Sequence, residues 1–292
     1  MDRPRVAFVG PGTVGSALAV ALSRAGYPVV AIAGRSPASV RALADRIAGA
    51  EALDRPQGAV DAADLVFVTV PDDAIRSVVE GLTWRTGSSA VHCSGAASID
   101  LLDAAAAQGA DVGSFHPLQT FASAEPAIEK LAGSRFAIEA SDVALEARLT
   151  EMARAVGGRA ITLRGSKGLY HASAVLASNA LVTLLDAAAS LWEDLGLTKA
   201  EGLNALLPLV RGTVSNLEAT GLPRALTGPV ARGDVGTIDR NLSALREHAP
   251  ETAALYVELA RRTIPIAEAK GSLSPEAAAV LRKRLEEASQ DG

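Results

Sequence analysis

The chain has 292 residues, of which 49% are hydrophobic and 21% charged, and this composition suits a globular protein and excludes a disordered one. Its net charge of −5 implies no basic face, so neither nucleic acid nor an anionic membrane is an expected partner. The single cysteine, Cys93, excludes an internal disulfide framework, and the His and Cys spacings predict no metal site.

Strand-like and helix-like patterns alternate through the first half of the sequence. The predicted strands are residues 6–10, 28–33, 65–70, 89–93, 112–115, 135–139 and 159–163. Helical patterns cover residues 14–25, 99–108 and 143–156, and another helix begins at Ser36-Pro37. This alternation predicts an α/β fold with a doubly wound parallel sheet.

After residue 164 the patterns are helical only. Helices are predicted over about 166–195, 199–219, 235–246, 251–270 and 275–288, with no convincing strand beyond residue 163. We therefore expect a dinucleotide-binding domain at 1–164 and an all-α substrate and dimerisation domain at 165–292. The most apolar stretch, 172–192, is interrupted by polar residues and is expected to be a buried helix, not a membrane span. The N-terminus shows no signal-peptide pattern, which favours a cytoplasmic location.

A glycine-rich turn follows the first predicted strand and leads into a helix. Gly10, Gly12 and Gly15 have the GxGxxG spacing of a dinucleotide-binding turn. Gly10 allows the tight turn, Gly12 lets a pyrophosphate approach the backbone, and Gly15 lets the helix pack on the strand. Thr13 and Val14 open the helix, whose first amide groups face the phosphates. A glycine-rich turn that binds nothing is the alternative interpretation.

The end of the second predicted strand selects the cofactor. Residues 33–36 contain no carboxylate that would accept the ribose 2′-hydroxyl of NAD. Arg35 and Ser36 offer donors to the 2′-phosphate of NADP, which favours NADP (NADPH) as the cofactor. A solvated Arg35 and a Ser36 that only caps a helix are the alternative. Val70 and Pro71 end a central strand at its carboxyl edge, where we expect them to contact the same cofactor.

The segment that joins the two halves carries the predicted catalytic residues. With Ser166 as N-cap, Lys167 and His171 lie one turn apart on one helix face. Lys167 meets the positive end of the helix dipole, which lowers its pKa and suits a general acid. In a continuous helix Ser178 falls near the same stripe and Asn179 flanks it. A solvated lysine at a domain junction is the alternative.

Three other residues are candidates for substrate binding. His116 precedes Pro117, which holds it extended beside the expected cleft, although a hydrogen-bonded core histidine is an equal alternative. Arg232 offers a guanidinium group that would clamp a substrate carboxylate. Asp234 either orients Arg232 or caps the helix that follows.

Several of these segments together resemble one family over nearly the whole chain. They are GPGTVG, VTVPDD, VHCSGA, FHPLQTF, the helix with Lys167 and Asn179, and LTGPVARGD. The family comprises Rossmann-like oxidoreductases with a characteristic C-terminal helical domain, some regarded as an alternative class of ketopantoate reductase. In the wider 6-phosphogluconate dehydrogenase-like superfamily, a lysine in the position of Lys167 protonates the carbonyl. An asparagine one turn later helps, and His171 stands in its place.

The resemblance implies an NADP-dependent oxidoreductase acting on a CH–OH group. The leading activity is reduction of a small 2-oxo acid, 2-dehydropantoate (ketopantoate), to pantoate, a step of pantothenate biosynthesis. A proton would come from Lys167 or His171, with Asn179, His116 and Arg232 holding the substrate. The alternatives are an imine reductase of the pyrroline-carboxylate type and a non-catalytic NADP-binding sensor. The family also implies a homodimer through the helical domain.

Overall fold

The computed structural model describes residues 3–121 and 124–290 and divides the chain into two compact units, 1–178 and 179–292. The first unit thus extends one helix beyond the boundary that the sequence suggests. Its strands are β1 (Val6–Val9), β2 (Val29–Ala33), β3 (Glu51–Leu53), β4 (Leu65–Val68), β5 (Ser89–His92), β6 (Asp111–Leu118), β7 (Arg135–Ala140) and β8 (Arg159–Thr162). Its helices are α1 (Thr13–Arg24), α2 (Pro37–Ala44), α3 (Pro56–Ala62), α4 (Asp72–Glu80), α5 (Asp103–Ala106), α6 (Ala124–Leu131), α7 (Val143–Ala155) and α8 (Lys167–Ala177).

The eight strands form one sheet in the order β3-β2-β1-β4-β5-β6-β7-β8, which confirms the predicted α/β class. The sheet differs from the prediction in two respects: it contains the short edge strand β3, which the sequence pattern does not predict, and β7 pairs antiparallel with β6. The chain leaves β6 at Leu118 and re-enters the sheet at Arg135, which is the register partner of Leu118. Buried parallel and antiparallel strands carry the same apolar run, so strand direction is not readable from composition.

Four of the five phenylalanines form a continuous buried row across the sheet. Ring centroids are 5.0 Å apart for Phe8 and Phe67, 5.7 Å for Phe67 and Phe115, and 4.7 Å for Phe115 and Phe136. The row crosses β1, β4, β6 and β7 and packs in the same core as α1 and α7. It therefore ties the antiparallel end of the sheet to its central strands, because aromatic contacts add to the burial of apolar area.

The glycine-rich turn between β1 and α1 is required sterically at two of its three glycines. Gly10 has φ +104°, and a Cβ there would lie 2.8 Å from backbone atoms of Thr69 and Val70. A Cβ on Gly15 would lie 2.6 Å from the carbonyl oxygen of Gly10. These contacts confirm the predicted turn and packing roles. Gly12 is different, since its nearest contact would be 3.8 Å away.

The second unit is helical throughout its described part. Its helices are α9 (Asn179–Ser190), α10 (Lys199–Thr220), α11 (Pro229–Arg232), α12 (Val235–His248), α13 (Pro250–Lys270) and α14 (Pro275–Gln290). The four predicted helices from residue 199 onward match α10, α12, α13 and α14 to within two residues at each end. A core of side chains from α11 to α14 stabilises this unit, whereas α10 buries only Gly202.

Two expectations about residues 166–195 are wrong. The predicted single helix is interrupted at Ser178, whose φ of −117° and ψ of −71° end α8 before α9 begins. The stretch is also not buried, because only 6% of the apolar window in Lys167–Leu195 is covered. Among the described residues, this one segment is long and apolar enough to cross a membrane by length and composition. One such segment is weak evidence of a membrane span, since a helix at a protein interface has the same composition.

The glycine contacts lead to a stability prediction. Gly10→Ala should lower the free energy of unfolding by about 2–4 kcal/mol, because the methyl group meets backbone atoms at a positive φ. Gly12→Ala should stay within about 1 kcal/mol of the wild type, because its Cβ would make only an ordinary 3.8 Å contact. Urea denaturation followed by circular dichroism measures both. Equal losses in the two variants would contradict the steric role assigned to Gly10.

Candidate active site

A cavity of about 570 Å³ lies at the carboxyl ends of β1, β2 and β4. Among the residues that line it are six that the sequence predicts for the cofactor: Gly10, Gly12, Arg35, Ser36, Val70 and Pro71. Thr13, Val14 and Gly15 form the first turn of α1, which Gly12 precedes without a side-chain cap. The first amide groups of α1 are thus available to an anion in this cavity. The residues present fit a dinucleotide.

The part of the cavity next to the start of α2 is lined by Arg35 and Ser36, the two residues predicted to select NADP. Ser36 caps α2 by accepting hydrogen bonds from the Ser39 amide (3.3 Å) and the Ser39 hydroxyl (3.0 Å). Within the described part of the chain, no carboxylate pairs with the guanidinium of Arg35. Asp54 also lines the cavity, and no sequence pattern singles it out because β3, which it follows, is only three residues long.

Lys167 is a buried cation at the start of α8. Ser166 caps this helix by accepting from the Leu169 amide, as predicted. The Lys167 side chain is 4% exposed, and its Nζ donates to Ser114 Oγ at 2.6 Å and to Glu139 Oε2 at 2.9 Å. Ser114 and Glu139 are register partners on β6 and β7. Burial lowers the pKa of Lys167, and the bond to Glu139 opposes that change. The alternative of a solvated lysine is therefore wrong.

The loop after β5 is held by a chain of hydrogen bonds. His92 Nδ1 accepts from the Ser94 amide at 3.1 Å, and its Nε2 lies 3.2 Å from the Ser98 carbonyl oxygen. These two partners set its tautomer, with the proton on Nε2. The Ser94 hydroxyl donates to Asp72 Oδ2 at 2.6 Å. Asp72 follows Pro71 of the cavity directly, so these bonds place Gly95 beside the predicted cofactor site.

Two side chains meet at Gly95, and Tyr170 contacts one of them. A Cβ on Gly95 would lie 2.7 Å from His116 Nε2 and 3.0 Å from His171 Nδ1. His116 Nδ1 is 2.7 Å from the Tyr170 hydroxyl, and the two rings pack edge to face. His171 Nδ1 is buried and, among the described residues, has no hydrogen-bond partner. Sequence reasoning missed Gly95 and Tyr170, because neither belongs to a catalytic motif.

Burial and the Lys167 charge keep His92 and His116 neutral at pH 7. Burial, followed by the nearby Lys167, lowers the pKa of His116 to about 4 and that of His92 to about 4. Burial raises the pKa of Tyr170 to about 12, so its hydroxyl remains a donor. A neutral His116 hydrogen-bonds to an uncharged group and does not act as a strong acid.

The other predicted site residues follow His116 and His171 in the sequence and lie on other helix ends. Ser178 is the C-cap of α8, and Asn179 begins α9 in the second unit. Arg232 ends α11 and is exposed. Asp234 caps α12, accepting from the Thr237 amide at 3.0 Å and hydroxyl at 2.7 Å, which confirms the capping interpretation. The hydrogen bonds from Thr237 lower the pKa of Asp234.

Comparison with protein families finds two consecutive matches along the chain. Residues 1–117 match a Rossmann-like domain, and residues 134–263 match a domain of unknown function, DUF2520. The predicted resemblance to Rossmann-like oxidoreductases with a characteristic C-terminal helical domain is confirmed. No curated protein matches the sequence.

Solved structures similar to the chain cover almost its full length. Protein TM1727 from Thermotoga maritima is 27% identical, with a TM-score of 0.73 over 91% of this chain and 99% of that one. A candidate NADP oxidoreductase from Bacteroides fragilis is 25% identical, with a TM-score of 0.71 over 90% and 98%. A pyrroline-5-carboxylate reductase from Coxiella burnetii, at 18% identity and a TM-score of 0.60 over 99% of both chains, shares the fold.

The buried imidazole of His92 predicts acid sensitivity. Its pKa is about 4 in the folded chain and about 6.5 when unfolded, so the unfolded state takes up the proton first as the pH falls. His92 should therefore reduce the free energy of unfolding by about 2 kcal/mol between pH 7 and pH 5. Urea denaturation at both pH values should show that His92→Asn loses less free energy of unfolding between pH 7 and pH 5 than the wild type does, whatever the stability of the variant at pH 7. An equal loss in wild type and variant would contradict the assignment.

Proposed function

We propose that this chain, a Rossmann-like domain joined to a DUF2520 domain, is an NADPH-dependent reductase. The leading substrate is a small 2-oxo acid, with ketopantoate first. One observation carries the proposal: the bonded path from Pro71 of the dinucleotide cavity through Asp72 and Ser94 leads directly to the His116–His171 cluster. A cofactor cavity and half-buried proton-handling groups thus adjoin within one unit, as a reductase requires.

NADPH fits the residues of the cavity. Gly12 leaves room for a pyrophosphate, the first turn of α1 offers amide groups, and Arg35 is free to pair with a 2′-phosphate. The similarity to the candidate NADP oxidoreductase from Bacteroides fragilis supports the same cofactor. Bound NADPH would supply the hydride.

The chain's own residues would handle the charge and the proton. When the carbonyl is reduced, negative charge develops on its oxygen, and the buried Lys167 cation stabilises it electrostatically. The proton comes from Lys167 or His171. His116 orients the substrate by a hydrogen bond. We assign Asn179, Ser178 and Arg232 to the substrate as the resemblance implies, with Arg232 on the carboxylate.

An imine reductase is the second candidate. The structural likeness to pyrroline-5-carboxylate reductase favours it at the level of the fold. The neutral His116 suits an imine nitrogen as well as a carbonyl oxygen, since both accept one hydrogen bond. The third candidate is an NADP sensor, which would bind the cofactor without turnover.

Calorimetry and NADPH oxidation test the proposal. The wild type should bind NADPH at least tenfold more tightly than NADH, and Arg35→Ala should remove that preference because one guanidinium–phosphate pair is lost. Oxidation of NADPH in the presence of ketopantoate identifies an oxo-acid reductase. Oxidation only with 1-pyrroline-5-carboxylate or other cyclic imines identifies the second candidate.

The controls separate binding from chemistry. Arg41→Ala, a variant of an exposed arginine on α2, should leave the NADPH preference unchanged. Lys167→Met should keep NADPH binding and lose most turnover. Binding without turnover on either class of substrate identifies a sensor, whereas no heat with either cofactor refutes the proposal entirely.

We infer further that the enzyme is a cytoplasmic homodimer joined through α10. Of the seventeen large exposed hydrophobic side chains in the described residues, twelve lie between residues 169 and 222. Residues 211–220 are exposed on every face of α10, which also contains Pro208 and Gly212. Such a helix is unstable in water alone, because proline costs about 3 kcal/mol and glycine about 1 kcal/mol in a helix interior.

A second copy of the chain suits this surface better than another occupant. From Leu203 to Leu217 the sequence carries one charged residue, Arg211, so two copies meet without strong charge repulsion. Closed twofold pairing is the common solution for such self-complementary apolar surfaces. If a second copy covers the apolar Lys167–Leu195 segment, its exposed hydrophobic side chains are explained and no membrane is needed.

The dimer is tested by light scattering after size exclusion. The wild type should have twice the chain mass of 29.8 kDa. Leu209→Glu, at a side chain 67% exposed on α10, should weaken the dimer at least tenfold, because a carboxylate would be buried at the interface. Val280→Glu, 55% exposed on α14, should not. A monomeric wild type, or its transfer into lipid vesicles, would contradict the homodimer.

A further inference from the structure

Two imidazole nitrogens converge on one point beside Gly95. His116 Nε2 and His171 Nδ1 lie 2.7 Å and 3.0 Å from the position where a Cβ on Gly95 would be. The two nitrogens are therefore no farther apart than the sum of these distances, so one oxygen or nitrogen atom in van der Waals contact with Gly95 can hydrogen-bond to both rings. Position 95 requires glycine, because a Cβ there would lie too close to both nitrogens.

The Tyr170 hydroxyl is placed to set the tautomer of His116. Tyr170 stays protonated because burial raises its pKa to about 12, and its oxygen lies 2.7 Å from His116 Nδ1, within reach for donation to that nitrogen. A hydroxyl that donates to Nδ1 leaves the ring proton on Nε2, which is the nitrogen that faces Gly95. In that tautomer, His116 donates from the nitrogen beside Gly95.

His171 presents the second nitrogen. Its Nδ1 is buried and lacks a hydrogen-bond partner among the described residues. A buried polar atom without a partner is energetically unfavourable, so its persistence calls for a ligand that satisfies it. Because His171 lies one turn after Lys167 on α8, the Lys167 bonds to Ser114 and Glu139 hold it in place.

We propose that His116 Nε2 and His171 Nδ1 form a clamp for the one substrate atom that is protonated in the reaction, and that Tyr170 is the positioning residue that makes His116 a donor. This rests on the proposed reductase function. In the clamp, His116 donates to the carbonyl oxygen or imine nitrogen throughout. His171 donates the reacting proton through Nδ1 and accepts a hydrogen bond through the same nitrogen afterwards.

The step balances with the hydride that NADPH supplies. The hydride brings two electrons to the substrate carbon, and the π bond of the C=O or C=N group breaks. The oxygen or nitrogen takes a proton from His171 Nδ1, whose N–H electron pair stays on the ring. The product hydroxyl or amine then donates to that nitrogen, and the partly exposed ring regains a proton from solvent.

The chemistry of the clamp restricts the substrate class. The two nitrogens serve an uncharged acceptor atom that becomes a donor on reduction, which describes a ketone oxygen or an imine nitrogen. The proposal assigns proton donation to His171 and leaves Lys167 to stabilise charge, because two of the Lys167 donors are already occupied by Ser114 and Glu139.

Gly95→Ala tests the clamp. Its methyl group would lie too close to both imidazole nitrogens and push the rings apart, which should lower kcat/KM at least tenfold on whichever oxo acid or cyclic imine the wild type reduces. NADPH affinity should remain within twofold, since the substitution lies outside the cofactor cavity. Gly168→Ala is the matched control, because its Cβ would make only an ordinary 3.5 Å contact with Ser166. Wild-type kcat/KM in Gly95→Ala would overturn the clamp.

Nitrogen-15 NMR of histidine-labelled protein tests the tautomer without turnover. The chain has four histidines, and the half-exposed His248 serves as an internal reference. In the wild type, His116 should carry its ring proton on Nε2. In Tyr170→Phe, His116 should be a mixture of both tautomers. In the control Tyr256→Phe, the tautomer should not change. Ketopantoate with NADP⁺ should move the His116 Nε2 and His171 Nδ1 resonances together. A proton on His116 Nδ1, or a permanent His116–His171 hydrogen bond, would overturn the proposal.

These results separate the clamp from the reductase function. Normal turnover in Gly95→Ala refutes the clamp and leaves the reductase intact. Absence of NADPH binding or of any turnover in the wild type refutes the reductase, and the reactive role of the clamp fails with it. The tautomer set by Tyr170 is decided by NMR in either case.

Discussion

The buried ion pair between Lys167 and Glu139 is the interaction on which the candidate site depends. With Ser114 as a third partner, it joins the first turn of α8 to β6 and β7. A buried charge of this kind is tolerated only with excellent geometry and full hydrogen bonding. Its position determines where the rest of α8 points, and Tyr170 and His171 follow within the next turn.

The same cation sets the electrostatics of the neighbouring imidazoles. His92 and His116 are neutral at pH 7 because they are buried and because Lys167 is close. Neutral imidazoles hold definite tautomers, each selected by the partner of the other ring nitrogen. The Lys167 charge thus places α8 and, together with burial, which is the larger cause, determines the hydrogen-bonding character of the site.

The cofactor half of the site was largely predictable from the sequence, and the substrate half only in part. Gly10 and Gly15 have steric roles that a short motif expresses completely, because their contacts are with the adjacent strand and turn. Lys167 and His171 were found through helix periodicity. Gly95, Tyr170 and Glu139 were not, since their importance comes from contacts between segments far apart in the chain.

The α/β order, the glycine-rich turn and the helical second half are determined by the sequence itself, because hydrophobic periodicity, glycine conformation and helix capping are local properties. The antiparallel β7, the break at Ser178 and the convergence of His116 and His171 on Gly95 were decided only by the tertiary structure. Strand direction and side-chain convergence depend on how segments distant in the sequence pack against each other, and local sequence patterns do not determine that packing.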